Sequence, residues 1–280
     1  MARTNDYVLE VKTARELGSE IFVYSLLTTW CTQLHPKLAP EFFALGEPIR
    51  RKFEDEGIEG AARLWLAHQM PLMLRRRSKP RFVAGIKWRA EKGEDPRPYP
   101  WGCHVFLDRS AGDDLALVLF RFLIDRFEPA FGSISTEEDS RSKHLVVWED
   151  RGGSAEQYMG LDVGRFFTIR RDYGREVLPG VYWVTYFGPG ALEIVGKAPF
   201  QHMKADRVEK LGDGYLVQAY PSATAVGSEA AHQAEREIRE QLGKEHFFDK
   251  SQVDVESLNM DEVTGARVER KIKEIKAARK

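Results

Sequence analysis

The sequence predicts an α+β fold in which helices pack on a mainly antiparallel or mixed sheet, with a largely helical N-terminal segment and a C-terminal helical tail. Three observations predict this fold. Apolar residues recur at three- and four-residue intervals before residue 80. Short β-like runs separated by turn residues begin at residue 81. A capped amphipathic helix and a charge-rich, helix-forming tail close the chain.

The composition indicates one ordinary globular domain. The chain has 280 residues, of which 42% are hydrophobic and 30% charged. A single fold of this length buries roughly three quarters of the surface of its unfolded chain, so it needs neither disulfides nor metals for stability. We expect one α+β domain over residues 1–245, mostly helical over 1–80 and sheet-rich over 81–245, followed by a charged helical tail over 246–280.

The first quarter carries helical patterns. Residues 40–56 and 58–76 carry apolar residues at helical spacing, which predicts a helix in each. Residues 21–31 are ambiguous, because β-forming residues occur there together with a helical stripe of Ile21, Tyr24 and Leu27. Periodicity alone does not decide between helix and strand for so short a run.

Strands and one buried helix are predicted next. Residues 81–88 and 102–107 are β-like runs on either side of a turn-rich segment. A helix is predicted over residues 115–127, because the acidic pair just before it favours a helix N-terminus and Pro129 ends the pattern. Its nearly continuous apolar surface indicates a central packing element.

The third quarter is predicted to be rich in strands. The β-like runs are residues 144–149, 166–170, 181–187 and, after the break at Gly188-Pro189-Gly190, 191–195. The run at 181–187 is almost continuous in β-forming residues, as expected of a strand that is covered on both faces.

A hairpin and a helix are predicted after residue 206. Residues 207–211 and 215–220 flank Gly212-Asp213-Gly214, and Asp-Gly readily adopts the positive φ angles of a tight turn. The helix over 228–242 begins at the capping residue Ser228 and stops at Gly243.

Cysteine content and hydropathy predict a cytoplasmic protein. The two cysteines, Cys31 and Cys103, are far apart and in no metal-ligand spacing, which is typical of a reducing compartment. The first twelve residues lack the apolar region of a secretion signal, and no later run is long enough for a membrane span. We therefore expect no membrane partner.

Charge is distributed unevenly although the net charge is only -1. Residues 75–97 contain nine basic and three acidic side chains, and residues 265–280 contain seven basic and two acidic ones. A nucleic-acid-binding protein normally has a basic domain overall, so solvated faces are the favoured interpretation of both segments. We expect no direct contact with nucleic acid, and the nucleic-acid-binding module stays as an alternative.

The search for catalytic chemistry identifies no catalytic, cofactor-binding or metal-ligating residue, so we expect neither an enzyme nor a cofactor. Cys103 and His104 are neighbours, but adjacent side chains on a strand point to opposite faces and cannot share a proton. The seven histidines are scattered, and the glycine-rich spots match no phosphate-binding or hydrolase motif.

A hydrolase such as a glycosidase is the alternative enzyme hypothesis. Two carboxylates and a sugar-stacking tryptophan suffice for that chemistry. The acidic clusters are Asp113/Asp114, Glu137/Glu138/Asp139 and Glu149/Asp150, and the candidate tryptophans are Trp101, Trp148 and Trp183. The signal is weak, because helix caps and solvated loops contain the same residue types.

The candidate partner-binding residues centre on one turn. Arg170, Arg171, Asp172 and Tyr173 precede the most β-like run, and Arg and Tyr are enriched in interface hot spots. A purely structural turn with its own ion pair is equally compatible with this sequence. The remaining candidates are the loop acids and one aromatic residue: Glu149, Asp150 and Trp101.

The region from residue 80 to 245 resembles the TsiV-like immunity proteins of bacterial type VI secretion. The resemblance is carried mainly by Gly160-Leu161-Asp162-Val163, Asp172-Tyr173-Gly174, and the stretch 178–189 with the sequence LPGVYWVTYFGP. Residues 102–107 with the helix after them, and Tyr220-Pro221 before a charged helix, are similar too.

This resemblance implies a cytoplasmic antidote that binds and blocks a toxin delivered by type VI secretion. In this group the toxin is often a nuclease of the VRR type, so the implied partner is a nuclease domain. The family has no catalytic motif and no fixed interface motif, so no residue role is transferred. The resemblance is compatible with a homo-oligomer.

Overall fold

The computed structural model describes residues 6–13, 15, 17–68, 70–87, 101–147, 160–162, 170–172 and 175–249. Its strands are β1 (Tyr7–Thr13), β2 (Phe42–Ala44), β3 (Arg51–Lys52), β4 (Leu72–Arg76), β5 (Phe82–Lys87), β6 (Trp101–Leu107), β7 (Phe131–Thr136), β8 (Leu145–Val147), β9 (Gly160–Asp162), β10 (Arg170–Asp172), β11 (Arg175–Val177), β12 (Val184–Phe187), β13 (Arg207–Leu211) and β14 (Gly214–Gln218).

The described residues form six α-helices: α1 (Glu20–Thr28), α2 (Phe53–His68), α3 (Gly112–Phe127), α4 (Glu137–His144), α5 (Pro189–Val195) and α6 (Glu229–Leu242). A π-helical turn at Thr29–Gln33 extends α1. Short 3₁₀ turns lie at Pro36–Leu38, Arg109–Ala111, Ala198–Gln201, Ala223–Ala225 and Lys244–His246.

One ten-stranded sheet organises the fold. Its strand order is β13-β14-β12-β7-β1-β6-β5-β4-β2-β3, and every neighbouring pair is antiparallel. Two small antiparallel pairs, β8 with β9 and β10 with β11, stand apart from it. The α+β fold with an antiparallel sheet is thus confirmed.

Helices cover both faces of the sheet. On one face, Phe22 of α1 packs edge-on against Phe127 of α3, and Phe120 of α3 reaches Gly132 of β7. Ser135, three residues further along β7, donates a hydrogen bond to Asp139 of α4. Because side chains alternate along a strand, α3 and α4 lie on opposite faces of β7.

The first strand lies near the centre of the sheet, which the sequence did not indicate. β1 pairs with β6 over its whole length and with β7 on its other side. Tyr7, Leu9 and Val11 are buried on the face covered by α3. The N-terminal segment therefore contributes to the main core as well as supplying α1 and α2.

The predicted helix over residues 40–56 is wrong for most of its length. Phe42–Ala44 and Arg51–Lys52 form two strands, and the helix begins only at Phe53. Backbone pairing of β2 with β4 outweighs the helical spacing. The helix predicted over 58–76 ends at His68, before Pro71, and residues 72–76 form β4. Residues 21–31, which were ambiguous, are helical.

Residues 191–195 were predicted to be a strand, and this prediction is also wrong. They belong to α5, which has Gly188 at its N-cap and Pro189 at its first helical position. Proline at that position costs no hydrogen bond, because the first N–H groups of a helix have no intrahelical partner. The Gly-Pro pair therefore opens a helix here.

The predictions for the later elements are confirmed by α3, β6, the β13–β14 hairpin and α6. Ser228 caps α6 by accepting a hydrogen bond from the Ala231 N–H. In the hairpin, Leu211 pairs with Gly214, and the positive φ belongs to Gly212 (55°). The turn therefore requires glycine at position 212, the first of its two central residues, Gly212 and Asp213.

Gly188 is expected to tolerate no side chain. A Cβ at this position would lie 1.9 Å from the Pro129 carbonyl oxygen and 3.0 Å from that of Ala130. We expect Gly188→Ala to lower the free energy of unfolding by about 1–3 kcal/mol, because backbone must move. The matched control is Gly46→Ala, whose Cβ would meet nothing within 4 Å and should change it by less than about 0.5 kcal/mol. Urea denaturation measures both, and equal effects would contradict this account.

Candidate partner-binding site

A pocket of about 270 Å³ lies where α4 and α6 meet the segments 179–181 and 248–249. Helix α6 supplies most of its polar wall, because His232, Glu235, Arg236 and Arg239 lie on one helical face at spacings of three and four residues. The remaining residues that line the pocket are Ser142, Lys143, Pro179, Gly180, Val181, Phe248 and Asp249.

Lys143 lines the pocket, and all three of its ammonium hydrogens are used in bonds within the protein. Its Nζ lies 2.8 Å from Asp139 Oδ2, 2.8 Å from Glu235 Oε2 and 3.0 Å from the Val181 carbonyl oxygen. An ammonium group has three donors and no acceptor. Lys143 therefore joins α4, α6 and the segment before β12, and it has no hydrogen left for a ligand.

Glu235 is the buried acid of the pocket, with only 5% of its surface exposed. Its Oε1 accepts a hydrogen bond of 3.2 Å from the Tyr220 hydroxyl. Burial raises the pKa of Glu235, the nearby Asp139 carboxylate adds to this effect, and Lys143 opposes it. Burial, with the Glu235 and Asp139 carboxylates, also raises the pKa of the Tyr220 hydroxyl.

Arg239 and Arg236 place two guanidinium groups in the wall. Burial lowers the pKa of Arg239, and the carboxylates of Asp249 and Glu235 oppose that effect. The Arg239 Nε is buried and makes no hydrogen bond among the described residues. Arg236 is exposed and bonds Glu229 at 2.6 Å. Of the two arginines, Arg239 is the half-buried one, and among the described residues its guanidinium makes one long hydrogen bond, 3.5 Å from Nη2 to the Phe248 carbonyl oxygen.

The predicted partner-binding turn lies in the chain segment that leads into this pocket. Arg170, Arg171 and Asp172 form β10 and pair with β11, which ends at Val177. The next residue, Leu178, forms a parallel bridge with Phe247, so the hairpin is anchored beside the segment that supplies Phe248 and Asp249. The hairpin and the pocket together are called the hairpin–pocket surface below.

The other candidate residues are placed less closely. Trp101 begins β6 in the large sheet, opposite Thr13. Tyr173, Glu149 and Asp150 lie outside the described residues. The basic segment is described as far as residue 87. There, Arg76 bonds Glu41, and Arg77 stacks on Phe42 at 4.4 Å from the ring centroid.

One pattern in the sequence indicates the pocket, although it matches no catalytic motif. Along α6 the buried positions are Ala231, Glu235, Ile238 and Leu242. A glutamate inside an apolar stripe must find a buried partner, because burying an unpaired charge is costly. This signal identifies Glu235, but only the folded chain shows that Lys143 is the partner.

The carboxylate and tryptophan candidates for hydrolysis have structural roles where they are described. Asp113 accepts hydrogen bonds from the Tyr7 hydroxyl, the Ser222 hydroxyl and the Ala223 N–H. Trp183 is fully buried, so it presents no sugar-stacking surface. Trp148 lies outside the described residues.

Both thiols are expected to be unreactive in the folded protein. Burial raises the pKa of Cys31 to about 12 and raises that of Cys103 as well. The reactive species is the thiolate, so a thiol reagent at pH 8 should label neither cysteine on the timescale on which it labels the urea-unfolded chain. Rapid labelling of the folded chain, assigned by Cys31→Ser and Cys103→Ser variants, would contradict this expectation.

The described part of the chain contains no group of three or more His, Cys, Asp or Glu side chains arranged to hold a metal ion. Within the same residues, no helix is both long and apolar enough to cross a membrane.

The comparisons with known proteins identify no family for this chain. No protein-family model matches the chain, and no curated protein matches it. Among solved structures, the chain is similar to the Pseudomonas aeruginosa T6SS protein PA0821, with 17% sequence identity over 83% of this chain and 72% of that chain, and a TM-score of 0.48. At this identity and TM-score the likeness carries no conclusion about activity or partners.

Proposed function

We propose that this chain is an immunity protein that binds a cognate toxin delivered by type VI secretion and neutralises it in the cytoplasm. The toxin class we propose is a nuclease, and the resemblance of residues 80–245 to the TsiV-like group supplies that partner. The contact region we propose is the hairpin–pocket surface. In this proposal the chain has no catalytic step and needs no cofactor.

The observation that carries the proposal is that the Lys143 ammonium already bonds three groups of the protein. A catalytic lysine or acid must exchange a proton with a substrate, so it needs hydrogen-bonding capacity directed at the reacting atoms. The Lys143 ammonium instead bonds Asp139, Glu235 and the Val181 carbonyl. Its position supports a rigid scaffold for binding rather than a proton-transfer site.

A hydrolase is the second candidate, because Glu235 lines the pocket and its pKa is raised. A glycosidase needs its two carboxyl groups on either side of the scissile bond. Here the nearest second carboxyl, Asp139, is bound to the same ammonium, which occupies the space between the two acids. This arrangement favours binding over glycoside hydrolysis.

The test is co-expression with the protein encoded beside this chain. We expect that protein to kill cells when expressed alone, and this chain to restore growth and to co-purify with it. Arg170→Glu combined with Arg171→Glu should weaken the complex at least tenfold, because charge reversal at a contact costs more than 1.4 kcal/mol. The matched control is Arg63→Glu in the exposed part of α2.

Two results would overturn the proposal. One is a neighbouring protein that is harmless or does not bind this chain. The other is turnover of a glycoside by the purified chain that disappears in Glu235→Gln while the variant stays folded.

A further inference from the structure

We propose that the pocket is a carboxylate-binding site, anchored by Arg239, that receives an acidic side chain of the protein partner. The identity of the partner as a toxin rests on the proposed function, whereas the chemistry of the pocket does not.

The hydrogen bonds made by the pocket residues favour an anion as the ligand. Lys143 has no free donor, and Glu235 already interacts with Lys143 and Tyr220. The Arg239 Nε has no hydrogen-bond partner in the described part of the chain, and its Nη2 makes only a long contact of 3.5 Å with the Phe248 carbonyl. The buried Nε–H is closed to a ligand, so the carboxylate would pair with the terminal Nη1 and Nη2 groups, and such a fork matches a carboxylate with two parallel bonds.

The size and walls of the pocket fit a side chain better than a larger ligand. A volume of about 270 Å³ is at or below the lower end of the range for small-molecule sites. Phe248 offers an apolar wall for the methylene groups of an aspartate or glutamate, and Arg236 and His232 lie on the same helical face as Arg239.

The charges favour a carboxylate over a phosphate. Glu235 and Asp249 line the same pocket and repel an anion. Coulomb repulsion is proportional to charge, so a dianionic phosphate is repelled about twice as strongly as a monoanionic carboxylate. The planar Arg239 fork compensates one carboxylate without requiring further cations.

The pocket is tested directly with sodium acetate as the probe. Nuclear magnetic resonance of ¹⁵N-arginine-labelled protein observes the Nε–H signal of each arginine, and the signal that is missing in Arg239→Met is assigned to Arg239. We expect acetate to shift this signal with half-saturation at roughly millimolar concentration. Acetamide should leave it unchanged, and inorganic phosphate should bind more weakly than acetate.

Two variants distinguish the effect of the bidentate guanidinium geometry from the effect of the positive charge and from a loss of folding. Arg239→Lys keeps the positive charge and should weaken acetate binding about tenfold, because the bidentate geometry is lost. Arg63→Met, on the exposed part of α2, should leave binding unchanged. Urea unfolding midpoints establish that each variant is folded. The absence of a saturable acetate shift at Arg239, or tighter binding of phosphate than of acetate, overturns the proposal.

The partner experiment distinguishes this proposal from the proposed function. If wild-type chain neutralises the toxin and Arg239→Met weakens the complex at least tenfold, the pocket receives a toxin carboxylate. If Arg239→Met neutralises as well as wild type, the pocket proposal fails and the immunity function stands. If acetate binds but the neighbouring protein does not, the immunity function fails and the carboxylate site stands.

Discussion

Replacing Lys143 by methionine is expected to lower the free energy of unfolding by about 3–5 kcal/mol at pH 7, because it leaves two buried carboxylates without their shared cation. The side chains of Asp139 and Glu235 are only 2% and 7% exposed, and each lies 2.8 Å from the Lys143 Nζ. Methionine keeps most of the aliphatic stem, so the loss reports the charge and its hydrogen bonds. Urea denaturation followed by circular dichroism measures it.

The pH dependence of this variant provides an independent check. Because the pKa of Glu235 is raised in the folded state, the native protein binds that proton more tightly than the unfolded chain. The corresponding stability is present at low pH and is lost as the pH rises through the folded pKa. Without the Lys143 ammonium this pKa rises further, so the deficit of Lys143→Met should shrink as the pH is lowered from 8 to 5.

The control for Lys143→Met removes one carboxylate charge as well. Lys143→Met combined with Glu235→Gln should recover part of the lost stability and should show a weaker pH dependence. If Lys143→Met changes the free energy of unfolding by less than about 1 kcal/mol, the interaction is worth no more than a surface ion pair. The interpretation of Lys143 as the cation that holds α4 against α6 would then be wrong.

Elements with strong local signals could be predicted from the sequence. The acids that open α3, the Ser228 cap of α6 and the Gly212-Asp213 turn act within a few residues, so each is visible without tertiary structure. The strand β1 alternates apolar and charged residues over 9–12, which indicates a strand but not its neighbours, and β2 is too short for a pattern. Their backbone bonds come from partners far along the chain, β6 and β7 for β1 and β4 for β2.

The site was less predictable than the fold for the same reason. Asp139 and Lys143 are four residues apart on one helix, which the sequence could have shown. Glu235 reaches them from α6, far along the chain, and that contact depends on the whole sheet. Arg170 and Arg171 of β10 were predicted from their residue type and their position before the most β-like run, and their part in binding stays a prediction. The strand after them, β11, leads into the bridge between Leu178 and Phe247.

Part of the stretch that carries the resemblance belongs to the core. Within residues 178–189, Val181, Tyr182, Trp183 and Phe187 are all buried. The Tyr182 ring lies 4.9 Å from the Lys143 Nζ. These four residues therefore form the scaffold beside the pocket.

Trp183→Ala is expected to cost about 3–5 kcal/mol of the free energy of unfolding, the range for deleting a large aromatic side chain from a core. Trp183 is fully buried, its ring stacks on Tyr7 at a centroid distance of 6.0 Å, and its Nε1–H donates to the Tyr220 carbonyl at 3.0 Å. The substitution therefore creates a cavity and removes one of the two side-chain donors that bind that carbonyl, the other being the Gln218 amide. Differential scanning calorimetry and urea denaturation measure the loss.

Two further variants separate volume from hydrogen bonding. Trp183→Phe keeps an aromatic ring and should cost about 1–3 kcal/mol, because the Tyr220 carbonyl loses its indole donor and keeps the Gln218 amide, 3.2 Å away. Ile21→Ala, at a side chain that is 84% exposed, should change stability by less than about 0.5 kcal/mol. Since Tyr220 also bonds Glu235, Trp183→Phe should in addition perturb the Arg239 Nε–H signal. An effect of Trp183→Ala no larger than that of Ile21→Ala would mean that the ring does not support the core beneath the pocket.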